Sequence, residues 1–194
     1  MTGKPVHIVV MGVAGCGKST VGAALAGRLG AHFLDGDALH PQSNIDKMAA
    51  GTPLDDDDRA PWLAEIGRRF STSDASLVIA CSALKRAYRD TIRDGDASVV
   101  FVHLHGNREL LNERMNSRPG HFMPASLLDS QLSTLEHLHF DEEGMVVDIQ
   151  TPVEQIVDQA VDSLLGPGDD ARGSNFCSAV HSTPGPDFGI ARLP

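Results

Sequence analysis

Eight residues near the start of the chain, Gly12-Val13-Ala14-Gly15-Cys16-Gly17-Lys18-Ser19, constrain it more than any other stretch. They read G-x-x-x-x-G-K-[ST] in full. Before them, Val6 to Met11 has the apolar run of a buried strand. After them, Val21, Leu25 and Leu29 recur at helical spacing up to Gly30. Strand, glycine-rich turn and helix in that order build a cradle for phosphate. The glycines let the backbone curl so that several N–H groups face one anion, and the helix adds its positive N-terminus. Lys18 is then placed to reach the β/γ-phosphates, and the Ser19 hydroxyl to ligate Mg²⁺. Gly12, Gly15, Cys16, Gly17, Lys18, Ser19 and Thr20 are therefore the expected nucleotide contacts, with ATP and Mg²⁺ as the expected cofactors. Cys16 occupies a variable position and reads as a small residue rather than a reactive thiol.

The rest of the chain alternates strand and helix patterns. Strands are predicted over 31–34, 77–81, 98–104 and 145–149. Helices are predicted from Pro41 to about Ala50, from Arg59 to Phe70, over 84–93, over 108–116, from Pro124 to Leu138 and from Pro152 to Leu165. Such alternation implies an α/β fold, a parallel sheet of about five strands flanked by helices. The order of strands is not readable from pattern. Residues 1–165 form one domain on this reading. From Gly166 onward the periodicity stops and Gly and Pro supply nine of 29 residues, the composition of a disordered tail.

Charge narrows the function. With 16 Lys and Arg against 26 Asp and Glu, the formal net charge is −10, which excludes a basic stripe for nucleic acid. The lysines are only Lys4, Lys18, Lys47 and Lys85, so a polyphosphate must be met by a few concentrated cations and a metal. No apolar run approaches a bilayer span, and no secretory signal precedes the first strand, so the expected location is the cytoplasm, away from membranes. The three cysteines, Cys16, Cys81 and Cys177, suggest no disulfide framework. There is no N-K-x-D for guanine. The D-x-x-G from Asp141 to Gly144 lies too late for a switch segment. The third strand ends in Cys81-Ser82, without the acidic residue of a motor-type ATPase. A kinase remains, with a non-catalytic ATP-binding regulator as the alternative from another class.

Asp35-Gly36-Asp37 ends the second strand. In a parallel sheet the carboxyl ends of the strands face the ligand crevice, so both carboxylates are placed near the γ-phosphate. One suits a metal-bound water and the other an acceptor hydroxyl, which a carboxylate can orient and deprotonate.

At these residues the sequence resembles the gluconokinase family. The matching strings are Asp35 to Pro41, Asn44, Lys47-Met48, Gly51 to Leu54, Asp57 to Arg59 and Pro61 to Leu63. They continue with Ala80 to Arg86, Tyr88 to Asp90, Arg118, Gly120 to Pro124, Gln131 and Thr134 to Glu136, so that the resemblance spans about 5–165. It implies a P-loop NTPase fold of the nucleoside-monophosphate-kinase type with a helical lid, and ATP-dependent conversion of D-gluconate to 6-phosphogluconate. Shikimate and nucleotides are the alternative acceptors, although the turn after strand three lacks the glycine run expected for shikimate. A homodimer is also implied.

On that resemblance Lys18 stabilises charge, Ser19 and Asp35 hold the metal, and Asp37 orients or deprotonates the hydroxyl. A sugar acid needs a cation and several hydrogen-bonding groups. Arg59, with its forked guanidinium, is the favoured cation, and His40, Lys47, Ser82, Lys85 and Arg86 are the other acceptor contacts. The resemblance makes about 115–125 the lid, with Arg118 on the phosphates, His121 near the acceptor and Arg114 near adenine. Asp148 to Pro152 borders adenine. Pro119 departs from the family pattern and stiffens the expected hinge. Asp55 to Asp58 reads as a solvated acidic loop or the start of a helix. His103-x-His105 and His137-x-His139 have no further ligands placed with them and are not read as a metal site.

Overall fold

The computed structural model describes residues 4–117 and 125–166. Five parallel strands form one sheet: β1 (His7–Met11), β2 (His32–Asp35), β3 (Leu77–Ala80), β4 (Val100–His105) and β5 (Gly144–Asp148), in the order β2-β3-β1-β4-β5. Seven α-helices accompany them among the described residues: α1 (Lys18–Leu29), α2 (Gln42–Ala49), α3 (Asp56–Ser71), α4 (Arg86–Gly95), α5 (Arg108–Asn116), α6 (Ala125–Thr134) and α7 (Val153–Leu165). Every residue of β1 and β3 is buried because a parallel sheet is covered on both faces. Ile8, Val10, Val102 and Leu104 turn to one face, against Val21 and Leu25 of α1 and Ile156 and Ala160 of α7. Val9, Met11, Ile79 and Phe101 turn to the other, against Trp62, Ile66 and Phe70 of α3 and Ile92 of α4.

The α/β fold with its parallel five-stranded sheet agrees with the sequence reading, and most boundaries fall close to it. Two helices differ. α3 starts at Asp56, earlier than the Arg59 expected, because Asp55 and Asp58 form a reciprocal capping box: each side chain accepts from the other's backbone N–H. The acidic run is therefore the start of a helix. α6 stops at Thr134, short of the expected Leu138, because the next backbone groups are taken elsewhere: the Glu136 N–H donates to the Leu84 carbonyl at 2.8 Å. Of the expected lid, about 115–125, residues 118–124 lie outside the described residues, as does the tail from 167 onward.

The segment from Leu135 to Glu142 is anchored by Arg89 of α4, which is fully buried. Its guanidinium donates to both oxygens of Glu142, at 2.6 and 2.9 Å, and to the carbonyls of Ala83, Leu84, Glu136 and His137 at 3.1–3.3 Å. Burial alone would raise the Glu142 carboxyl, but the Arg89 hydrogen bonds outweigh it and hold it below the usual range. The pair thus ties the loop after β3 to the segment after α6.

His103 and His105 share the α3/α4 face of β4, as the two-residue strand period requires, with ring centroids 6.0 Å apart. His137 lies 6.3 Å from both. Among the described residues no group of three or more His, Cys, Asp and Glu is arranged to hold a metal. His103 is buried, and neither ring nitrogen has a hydrogen-bond partner among the described residues. Burial, then the neighbouring His105, His137 and Arg89, push its pKa down to about 4 from 6.5. Between those values the unfolded chain binds the proton and the folded chain does not, so stability is full above pH 6.5 and falls as the pH drops towards 4. The full loss is about 3 kcal/mol. In His103→Leu, urea melts at pH 7.5 and pH 4.5 should differ less than in the parent. Equal differences in the two proteins would refute this source of acid sensitivity.

Candidate active site

All five strands run parallel, so the loops after β1, β2, β3 and β5 open on the same edge of the sheet. The loop after β1 is the glycine-rich turn. Gly12 has φ +139°, and a Cβ there would stand 2.7 Å from the Leu104 carbonyl oxygen, so no larger residue fits. Gly17, at φ +96°, is the N-cap of α1. It offers no side-chain acceptor, and no acidic residue stands in the helix's first turn. The first N–H groups of α1 are thus left for an external anion. Lys18 curls back, its Nζ donating to the Val13 carbonyl at 3.1 Å. Burial pushes the Cys16 thiol up against the pull of Lys18, consistent with a small filler.

An open cleft of about 280 Å³ runs from this loop, lined by Gly15, Cys16, Gly17, Thr20 and Arg114 with Thr151, Val153 and Ile156. Arg114 Nη2 donates to the Ile149 carbonyl at 2.7 Å, which fixes the guanidinium over the loop after β5. Pro152 caps α7 between two of the lining residues. Thr151 belongs to the stretch expected beside the adenine, whereas Val153 and Ile156 went unnoticed as cleft walls. The only signal in the sequence was their position just after the last strand.

The acidic pair lies beside the loop. Ser19 Oγ donates to Asp35 Oδ2 at 2.9 Å, and the other Asp35 oxygen accepts from the Asp37 N–H at 3.1 Å. That second bond caps a 3-10 turn, Gly36–Leu39, which projects Asp37 into solvent. Gly36 is needed here, since a Cβ would fall 2.5 Å from the Ala80 carbonyl oxygen. Ser19 and Asp35 are hard oxygen donors side by side. They fit Mg²⁺, which takes one or two protein oxygens and fills its octahedron with water and phosphate.

Beyond Asp37 the turn is braced by Trp62, whose Nε1 donates to the Gly36 carbonyl at 2.7 Å. His40 stacks on its ring at 4.1 Å. Buried Asn44 must donate from Nδ2 to the Asp58 carbonyl at 2.8 Å, so the same nitrogen also donates to His40 Nδ1 at 3.3 Å. The His40 proton therefore sits on Nε2. Burial lowers the pKa of His40, against the opposing pull of Asp37, and Arg59 lowers it further. The ring is thus neutral near pH 7 and lies within electrostatic reach of both groups.

Three cations face the N-terminus of α3. Arg59 donates to the Leu54 carbonyl at 2.6 Å, and its guanidinium carbon lies 5.8 Å from the Tyr88 ring centre. Lys47 pairs with Asp58 and with Asp55 at 3.2 Å. Lys85 bonds both oxygens of Asp56, at 2.7 and 2.9 Å, and Tyr88 donates to the same carboxylate. The Ser82 carbonyl accepts from the Gly12 N–H at 3.3 Å, which joins the loop after β3 to the phosphate loop. In that joint Ala83 takes φ +42°, a left-handed conformation rare outside glycine. Cys81, pushed up to about 12 by burial, lies within electrostatic reach of Asp37, Lys18 and Asp35.

Arg86 does not join this group. Its guanidinium is held by Asp141 at 2.9 and 3.0 Å and by Asp90 at 2.9 Å, away from the N-terminus of α3. Arg118 and His121 fall outside the described residues.

A glycine cradle on a helix N-terminus, a Ser–Asp oxygen pair and a second aspartate whose N–H bonds to that pair, with three cations at the N-terminus of α3, fit a P-loop phosphotransferase of the small-molecule kinase class. Comparison with known proteins narrows this. A family model described as an AAA domain matches residues 8–138. Gluconokinase of Gluconobacter oxydans (strain 621H) is 53% identical over 136 residues, covering 69% of this chain and 76% of that protein. Thermoresistant gluconokinase of Escherichia coli (strain K12) is 44% identical, covering 81% and 93%. The crystal structure of a gluconokinase from Sinorhizobium meliloti 1021 superposes with a TM-score of 0.77 at 50% identity, over 84% of this chain and 94% of that one. The chain belongs to the gluconokinase family.

Proposed function

We propose that this protein transfers the γ-phosphoryl group of ATP to the terminal hydroxyl of D-gluconate, giving ADP and 6-phosphogluconate. The observation that carries the reading is the meeting of two half-sites on one sheet edge. One is the phosphate loop with its Ser19–Asp35 pair. The other is the acceptor ring of Asp37, His40, Lys47, Arg59 and Lys85. A sugar acid presents one carboxylate and several hydroxyls, and this ring offers cations for the first and a mix of donors and acceptors for the second.

Lys18, steadied by the Val13 carbonyl, stabilises charge on the β/γ-phosphates. Ser19 and Asp35 would hold Mg²⁺ arriving with the nucleotide, and the metal would supply neutralisation of phosphate charge. Asp37 orients the acceptor hydroxyl and takes its proton. The hydroxyl oxygen bonds to the γ-phosphorus as the bond to the β–γ bridging oxygen breaks, and that oxygen leaves on ADP. His40, neutral, donates from Nε2 to an acceptor oxygen. Arg59 supplies the fork for the carboxylate, with Lys47, Lys85 and Ser82 around it. Arg114 and Pro152 border the adenine; Arg118 and His121, which the family resemblance assigns to the phosphates and the acceptor, lie outside the described residues. A cytoplasmic location, where ATP is at hand, agrees with this reading.

The test is coupled ADP release with Mg-ATP against gluconate, shikimate, glucose, AMP and no acceptor. Turnover on gluconate alone is the expected result. Turnover on another acceptor with silence on gluconate would overturn the acceptor assignment. Silence throughout would overturn the kinase reading.

A further inference from the structure

Gln131 belongs to one of the strings that carry the family resemblance, yet nothing in the reaction above uses it. It stands on the inward face of α6, among Leu128, Leu132 and Leu135, which pack into the core. A polar side chain on that apolar face needs a partner. Its partner is the phosphate loop: the Ala14 N–H donates to Gln131 Oε1 at 2.6 Å. The carbonyl of the same peptide unit, on Val13, accepts from Lys18 Nζ at 3.1 Å. A peptide is rigid and planar, so its N–H and C=O turn together. Gln131, the Val13–Ala14 peptide and the Lys18 ammonium thus form one chain of hydrogen bonds, each bond polarising the next.

The segment after α6 fixes the other side of the crevice. The Glu136 N–H donates to the Leu84 carbonyl at 2.8 Å, and Glu136 Oε2 accepts from the Arg86 N–H at 2.5 Å. Residues 131–136 therefore touch both the nucleotide loop and the loop that carries Ser82 and Lys85. An amide is the apt group at 131. It accepts from the loop as a carboxylate would, without setting a negative charge beside an anion site.

We propose that Gln131 is a positioning residue for phosphoryl transfer, acting through the Val13–Ala14 peptide to aim Lys18 at the β/γ-phosphates. This rests on the reading of Lys18 as the phosphate-binding lysine, but not on the identity of the acceptor. The experiment is calorimetric binding of Mg-AMP-PNP and of AMP to the full chain, without gluconate. Gln131→Met removes the acceptor at similar volume, and Gln131→Asn keeps an amide too short to reach.

Either substitution should weaken AMP-PNP by about tenfold, the worth of one hydrogen bond. AMP, which has no β- or γ-phosphate, should bind within about twofold of the parent value on the same argument. In a Lys18→Met background the AMP-PNP loss should disappear, because the two residues act in series. Equal losses for AMP and AMP-PNP would show a merely structural residue. Losses that persist unchanged without Lys18, or no loss at all, would also overturn the proposal. Failure of the parent protein to bind AMP-PNP would instead strike at the kinase reading itself.

Discussion

Arg89→Met is expected to lower the free energy of unfolding by about 3–5 kcal/mol, the usual consequence of leaving one member of a buried ion pair without its partner. For a domain of this size that is a fall of roughly 6–20 °C in Tm. The magnitude follows from what the guanidinium does: it bonds both oxygens of Glu142 and four carbonyls with no exposure to water. Methionine fills much of the space but offers no donor. The carboxylate and carbonyls would then be stranded in a low-dielectric site. Urea denaturation of Arg89→Met, with Arg89→Met/Glu142→Gln beside it, separates the contributions. The double variant should recover part of the loss, since a neutral amide is cheaper to bury than an unpaired carboxylate. A loss below about 1 kcal/mol in the single variant would mean the fold does not depend on the pair. Activity of the surviving folded fraction is a separate readout, because the same residue ties the loop after β3 to the segment after α6.

The two aspartates should fail differently. Asp37→Asn is expected to reduce kcat by about 10²–10⁴-fold, the range for loss of a positioned general base. That deficit should persist at any magnesium concentration. Asp35→Asn should instead raise the magnesium requirement, with much of kcat returning as the metal is increased, because Asp35 meets Ser19 Oγ rather than the acceptor side. Near-normal kcat in Asp37→Asn with activity abolished in Asp35→Asn would reverse the two assignments. Neither change should disturb the core, since Asp37 is exposed and the pair stands at the mouth of the sheet.

The parts legible in the sequence are those whose causes are local. α1 was readable at both ends because Gly17 and Gly30 bracket it, and both adopt left-handed φ. The phosphate loop was readable because each position has a backbone reason to be what it is. α3 was read late because its start is a box of two aspartates, which looks like solvated loop unless the three-residue spacing is noticed. α6 was read long because the leucine spacing continues past the point where Leu84 and Arg89 take over the backbone. Strand order was not legible at all, since each pairing joins residues distant in sequence. The acceptor side divided on the same line. Asp37, His40 and Arg59 come from one continuous stretch, 35–59. The ion pair of Arg86 was not legible because its partner Asp141 lies 55 residues away. Gln131 had a visible match and no visible role, because its partner is a backbone N–H across the fold.

The strand order β2-β3-β1-β4-β5 has a consequence for how such enzymes diversify. The proposed acceptor contacts are drawn from the flank of β2 and β3 with α2 and α3, whereas the proposed nucleotide cleft is drawn from the loop after β1, α5 and the loop after β5. The central strand separates inheritance of one from inheritance of the other. Substitutions, or whole loops, can accumulate on the acceptor flank while the nucleotide flank stays fixed. A lineage can therefore move to a new small-molecule acceptor without having to evolve the handling of ATP again.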